Sequence, residues 1–269
     1  MKYFAVKKLQ EPWLYAIVDP LENAHIYLSI GKERALIYDT AHGMEPMLPY
    51  IREITDLPVT CLLSHGHGDH ANGSYEFDEV LVTKEDYEIC LKHTGRTARS
   101  RLVGNLELEG VTPPKDFDAE AYIERGKETL KNKLKTVEFG HVFDLGGLRA
   151  EVIQMEGHTS GVIGLFFKEK KVLLTSDGAA PYLQWMFLNE SRSVKEFIAM
   201  LERNFKLDFE IFYDAHSGRT YTREDFSKLI NAAKNVDIKK SVPFPKLPER
   251  NGHVYTEDDV SIIFSEDKL

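Results

Sequence analysis

A strand that stops abruptly in a cluster of metal-binding side chains is the strongest constraint on this chain. Val59-Thr-Cys-Leu-Leu63 is apolar and β-prone, and it runs into Ser64-His65-Gly66-His67-Gly68-Asp69-His70, which holds three imidazoles and a carboxylate within six residues. Glycines between the polar residues let the backbone turn tightly. Imidazole with carboxylate suits zinc, and the clustering lets one loop supply ligands on two sides of a metal pair.

Other short β-rich runs surround this one: Ala35-Leu-Ile-Tyr38, Glu79-Val-Leu-Val82, Gly161-Val-Ile-Gly-Leu-Phe-Phe167, Lys171-Val-Leu-Leu174 and Phe209-Glu-Ile-Phe-Tyr213. Helices separate many of them. Ser193-Val-Lys-Glu196 and Thr222-Arg-Glu-Asp225 have the form of capping boxes. Each opens a stretch with apolar residues at helical spacing, Phe197, Met200 and Leu201 in one, Phe226, Leu229, Ile230 and Ala233 in the other. Strands covered by amphipathic helices imply an α/β (α+β) chain with sheet layers inside helix layers. At 269 residues one domain spanning 1–269 is expected.

Residues 92–137 differ in texture, with a basic start, a turn-prone Val111-Thr-Pro-Pro-Lys115, a charged tail from Ala119 to Lys135 and no strand-like run. They read as a helical insertion, either a lid over a site or a surface elaboration. Gly252-His-Val-Tyr255 and Val260-Ser-Ile-Ile-Phe264 form a final pair of short strands. Cys61 and Cys90 make neither a disulfide framework nor a CxxC pair and are read as packing residues.

A formal net charge of −9 argues against nucleic-acid and anionic-membrane partners, which demand a basic face. The basic run holding Lys92, Arg96, Arg99 and Arg101 with His93 reads as a solvated helix face, or as a site for one carboxylate or phosphate. No apolar run approaches the ~20 residues of a membrane helix, and the start lacks a secretory signal, so the cytoplasm is the expected compartment. The expected partner is a small-molecule substrate, with the chain a monomer or homodimer.

Three further His or Asp residues sit beyond or between strand-like runs beside glycine or small residues. They are His158 in Glu156-Gly-His-Thr-Ser-Gly161, Asp177 in Leu173-Leu-Thr-Ser-Asp-Gly178 and His216 in Phe212-Tyr-Asp-Ala-His-Ser-Gly218. Residues at strand ends can converge on one sheet edge. HxHxDH, then GHTxG, then strands ending in Asp and in His resembles the ordered motifs of the metallo-β-lactamase superfamily across residues 35–218, with Asp39 matching the first.

The resemblance implies an αββα sandwich with a helical insertion and a dinuclear zinc hydrolase, with iron or manganese in one or both positions as the alternative. It implies that His65, His67 and His158 bind the first metal, Asp69, His70 and His216 the second, and that Asp177 bridges both. Asp39 would be a supporting carboxylate that fixes a ligand histidine or the loop backbone. A hydroxide bridging the two zinc ions would be the nucleophile, oriented by Asp69.

The substrate expected is a small acyl compound: a thioester, lactone or ester. True β-lactamases of the superfamily resemble chains with Cys or Ser where Asp177 stands, and the charge disfavours the nuclease branch. A phosphodiesterase of the same fold, an iron-dependent oxidoreductase and a non-catalytic metal-binding protein are the alternatives. His67 stands against the diiron type, which resembles HxExDH. Candidates for substrate contact are Tyr182 and Trp185, in an apolar Pro181–Leu188 run that reads as pocket wall or as core, with His42, His93 and Arg96. His25, His42, His93, His141 and His253 read as surface or satisfied core positions, with His42, close after the first motif, and His93, at the start of the insertion, the two that also stand as contact candidates.

Overall fold

Seven strands form one sheet in the first part of the chain, in sequence order from edge to edge. The computed structural model describes residues 2–109, 112–126, 130–247 and 250–269. The chain divides into two units, residues 1–137 with 144–148, and residues 138–143 with 149–269.

In the first unit β1 (Ala5–Gln10), β2 (Leu14–Asp19), β3 (Ala24–Ile30) and β4 (Ala35–Tyr38) pair antiparallel. From β4 onward, β5 (Val59–Leu62), β6 (Val80–Val82) and β7 (Leu134–Thr136) continue in parallel. Parallel neighbours need crossovers. Helices α1 (Leu48–Arg52), α2 (Gly68–Ala71) and α3 (Tyr87–Thr94) lie in those connections, and α4 (Arg96–Glu109) and α5 (Ala119–Arg125) in the long one before β7.

One apolar cluster joins Ile26, Leu28, Ile37, Cys61 and Val80 of the sheet to Ile51, Ala71 and Cys90 from the crossovers. Both cysteines are buried and free, and burial pushes their thiols up, that of Cys90 to about 12. They are packing residues.

Residues 92–137 are helical at α4 and α5, as the sequence implies, but they also contain β7, which corrects the expectation of no strand there. Only Leu134 of β7 is buried; pairing to β6, rather than its own composition, makes it a strand. Val111 and part of the charged tail lie outside the described residues.

In the second unit β8 (Val142–Asp144), β9 (Arg149–Gln154), β10 (Ile163–Phe167), β11 (Val172–Ser176), β13 (Ile211–Asp214) and β14 (Tyr221–Thr222) form a six-stranded sheet in the order β14-β13-β11-β10-β9-β8. The strand β12 (Gln184–Met186) belongs instead to a small sheet, β12-β17-β16-β15, made with β15 (Val242–Pro243), β16 (His253–Glu257) and β17 (Val260–Phe264). Both expected capping boxes are present, at the starts of α6 (Val194–Asn204) and α7 (Arg223–Lys234). Their apolar stripes bury Phe197, Met200, Phe226 and Leu229 against Phe209, Phe212 and Ile262. No helix among the described residues is long and apolar enough to cross a membrane.

A buried polar node fastens the loop after β4. Asp19 accepts hydrogen bonds from the Tyr3 hydroxyl at 2.8 Å and the Leu21 N–H at 2.9 Å, and His42 lies 3.4 Å from both Asp19 and Glu22. Burial opposes a charge on His42, but the facing carboxylates of Asp19 and Glu22 outweigh it and hold its pKa up at about 10.

Two stability predictions follow from this packing. Phe226→Ala, which empties a wholly buried site among Phe205, Phe209 and Phe212, should cost about 3–5 kcal/mol in urea unfolding, against about 1 kcal/mol for Ser193→Ala at the α6 cap. Because the folded-state pKa of His42 is raised above its ordinary value of 6.5, its stabilising charge is fully present below about 6.5 and lost as pH rises through about 10. The stability deficit of His42→Gln, measured against the parent protein, should therefore shrink between neutral pH and pH values above 10. A deficit independent of pH over that window would mean that His42 is buried uncharged.

Candidate metal centre

Each polar cluster sits where a strand ends. Asp39 follows β4 with φ of 75°, a left-handed conformation that costs a non-glycine residue of order 1–3 kcal/mol unless its surroundings enforce it. Here its carboxylate is fully engaged. Oδ1 accepts the Ser64 N–H at 2.7 Å, and Oδ2 accepts both the Ser64 hydroxyl at 2.8 Å and His70 Nδ1–H at 2.9 Å.

These bonds decide the tautomers of the candidate histidines. Ser64 gives its only hydroxyl proton to Asp39, so the 2.9 Å contact between its oxygen and His65 Nδ1 requires Nδ1–H to be the donor. His70 donates its Nδ1–H to a carboxylate, and in the second unit His158 donates its Nδ1–H to the Trp185 carbonyl at 3.0 Å. All three rings thereby present an Nε2 lone pair, the form in which imidazole binds a metal.

The lone pairs have company at the right spacing. In the first unit His65 Nε2 is 3.0 Å from His67 Nδ1, and His70 Nε2 is 3.1 Å from Asp69 Oδ2. In the second unit Asp177 places Oδ2 3.4 Å from His158 Nε2 and Oδ1 3.4 Å from His216 Nε2. Two ligands on one tetrahedral zinc, with bonds near 2.05 Å, are separated by roughly 3.3 Å. The donor chemistry and the spacing within each unit therefore fit divalent ions, and each oxygen of Asp177 addresses a different histidine.

Local backbone features build the loops. Gly66 donates its N–H to Asp86 Oδ2 at 2.8 Å, and a Cβ at Gly66 would lie 2.4 Å from the Cys90 nitrogen, so no other residue fits between His65 and His67. Asp177 follows Ser176, whose φ of 47° turns the chain at the end of β11. Beyond β13, Asp214 accepts the Ser217 N–H at 2.9 Å and the Ser217 hydroxyl at 2.6 Å, closing the turn that carries His216. Burial raises the pKa of Asp214.

The substrate-contact candidates fall in different places. Asp69, His42 and His93 line one pocket of the first unit, and the His93 ring lies 4.9 Å from that of His67. Arg96 is not part of that lining and pairs with Glu124 at 2.9 Å on an exposed face. The Pro181–Leu188 run divides: Tyr182 is 54% exposed with Arg219 stacked 5.0 Å from its ring, whereas Met186, Phe187 and Leu188 are core. Trp185 packs on Phe187 and Phe244 and contributes its carbonyl to His158.

Sequence reasoning missed Ser64, Asp214 and Arg99. The first two had a signal, a hydroxyl directly before a candidate ligand histidine and an Asp three residues before Ser217 in the manner of an Asx turn. Arg99 had none; within a run read as solvated it is buried, and burial lowers its pKa.

A sequence model of the metallo-β-lactamase superfamily matches residues 20–235. Human acyl-coenzyme A thioesterase MBLAC2 is 26% identical over 168 residues, 58% of each chain, so this chain spans little more than half of that relative's length. Hydroxyacylglutathione hydrolase GloC of Haemophilus influenzae is 24% identical over 151 residues, covering 54% of this chain and 61% of that protein. Among solved structures, a metallo-β-lactamase from Pontibacter korlensis superimposes with a TM-score of 0.58 at 16% identity, covering 87% of this chain and all of that one, a likeness that shows the fold. The chain belongs to the metallo-β-lactamase superfamily and has its fold, and the curated relatives named here are members other than β-lactamases.

Proposed function

We propose that this chain is a dinuclear metal-dependent hydrolase of small acyl substrates, a thioester in preference to a lactone or another ester. Zinc is the metal expected, with iron or manganese as the alternative. The observation that carries the reading is Asp177, whose two oxygens each approach a different histidine, as a carboxylate shared by two ions requires. His65, His67 and His158 would hold one ion and Asp69, His70 and His216 the other. The two relatives named above act on acyl-coenzyme A and on hydroxyacylglutathione by their names, both thioesters, which supports the substrate class. Both units would act as one functional domain, since the family match runs across them.

When bound, such ions supply Lewis acidity, bringing the pKa of water toward ~7 and polarising a carbonyl oxygen. The chain's own residues do the rest. Asp39 and Ser64 hold the Nδ1 protons of His65 and His70, so that Nε2 is the nitrogen each ring would offer a metal. Asp69 lines the pocket, so its carboxylate is placed to accept the proton of an attacking water and to orient it. The carbonyl of Trp185 keeps His158 in the same tautomer.

Two measurements test this. Metal-loaded protein should cleave thioesters faster than lactones, aryl esters, bis-aryl phosphodiesters or a chromogenic cephalosporin, and phosphodiester or cephalosporin turnover far above every acyl substrate would overturn the assignment. Asp39→Asn, which removes the acceptor that sets the His70 tautomer, should weaken metal binding by roughly 10–100-fold in a chelator competition while circular dichroism stays native. Unchanged affinity would remove Asp39 from the site.

A further inference from the structure

Helix α4 carries two faces of different character. On the inward one Arg99 is buried: its Nε–H donates to the Thr94 carbonyl at 2.9 Å, and its Nη2 donates to the Asn72 carbonyl at 2.7 Å. Its guanidinium also lies 4.7 Å from the centre of the Tyr122 ring, and the Tyr122 hydroxyl donates to the His42 carbonyl at 2.9 Å. Leu106 packs with Tyr122 and Met44 beside them. Asn72 stands two residues beyond His70, so these bonds tie α4 to the loop that bears the metal-binding residues. A buried guanidinium is costly, and here two donor nitrogens and the Tyr122 ring offset that cost while Nη1 has no hydrogen-bond partner among the described residues; its removal would release the helix from that loop.

The outward face is thereby held in place over a pocket. Thr97 and Arg101, one helical turn apart, line it on α4, and Gly68 and Asp69 line it opposite. Lys92 adds a second cation from α3. Its volume of about 310 Å³ admits one end of a small molecule.

Two carboxylates, Glu22 and Asp69, and two cations, Lys92 and Arg101, line this pocket. Glu22 faces His42 at 3.4 Å, and Asp69 faces His70 at 3.1 Å, so both lining carboxylates already have cation or ligand partners. Arg96 pairs with Glu124, and Arg125 stacks on Tyr75 at 4.5 Å. Arg101 and Lys92 make no ion pair among the described residues. In a chain of net charge −9, two such exposed cations, lining one pocket with Asp69, point to an anionic ligand more than to a merely solvated face.

We propose that this pocket binds an oxyanion, a carboxylate or a phosphate, carried on the same substrate molecule as the reacting acyl bond, and that Arg101 and Lys92 determine specificity for it. The proposal rests on the hydrolase reading above and names a substrate class within it. The guanidinium fork of Arg101 can take two oxygens of either group, while Lys92 acts as a point charge.

The test compares three acetyl thioesters on the metal-loaded protein: of N-acetylcysteamine, which is neutral, of mercaptopropionate, which carries a carboxylate, and of phosphopantetheine, which carries a phosphate. At least one charged thioester should exceed the neutral one in kcat/KM by about ten-fold, mainly through KM, and the better of the two identifies the anion. Arg101→Glu and Lys92→Glu should each cut that ratio, the double variant should bring it near one, and Arg101→Lys should retain part of it. Added salt should erode the preference, since the cations are exposed. A ratio near one in the parent protein, or a ratio unmoved by the double variant, overturns the proposal while leaving the hydrolase reading intact. If no thioester is cleaved, the thioester preference of the hydrolase reading fails, and calorimetry with the S-methyl ethers of mercaptopropionate and phosphopantetheine decides the pocket separately. Saturable binding that the double variant loses supports the oxyanion site, and no binding by the parent protein refutes it.

Discussion

The hydrogen bonds of one strained carboxylate organise the first half of the site. Asp39 occupies a left-handed backbone conformation at the end of β4, and its two oxygens take the Ser64 N–H, the Ser64 hydroxyl and His70 Nδ1–H. Through Ser64 the same carboxylate dictates which nitrogen of His65 holds the proton. A single group thus places the Nδ1 proton of two imidazoles, and the neighbouring strands supply the rigidity that keeps a non-glycine residue at positive φ. In the second unit the same result is reached by different means, with a backbone carbonyl orienting His158 and an Asp214–Ser217 turn carrying His216.

The insertion does more than decorate the surface. Arg99 is committed to two carbonyls and an aromatic face, and the energy of burying it depends on Asn72 and Tyr122 staying where they are. That couples the pocket wall to the loop of His67, Asp69 and His70. The buried Asp19–His42 pair, with the exposed Glu22 on the other ring nitrogen, fastens the neighbouring loop in the same way, by pairing two charges that would be expensive alone.

Much of this was legible in the sequence where local chemistry decides structure. The apolar runs at Ala35, Val59 and Lys171 became β4, β5 and β11, and Ser193 and Thr222 do cap helices, because burial and capping act over a few residues. The metal-type residues stood out for the same reason, since their spacing is local within each loop. What was hidden depends on partners distant in sequence. β1 is an edge strand without a buried residue, and β7 has one, so neither carries an inward stripe to read, whereas β2 and β3 are almost wholly buried and were missed although their apolar runs were present. Arg99 looked like its neighbours Arg96 and Arg101 until the carbonyl of Asn72 was placed against it. In Pro181–Leu188 the choice between wall and core had no single answer, because Tyr182 is exposed while Phe187 is buried.

The central claim is that Asp177 is shared by two ions. Elemental analysis of purified protein and of Asp177→Ala, with folding followed by circular dichroism, addresses it directly. The account requires close to two transition-metal ions per chain in the parent protein, and a folded variant that loses at least one of them together with turnover. A folded Asp177→Ala variant that keeps two ions and full activity would contradict it.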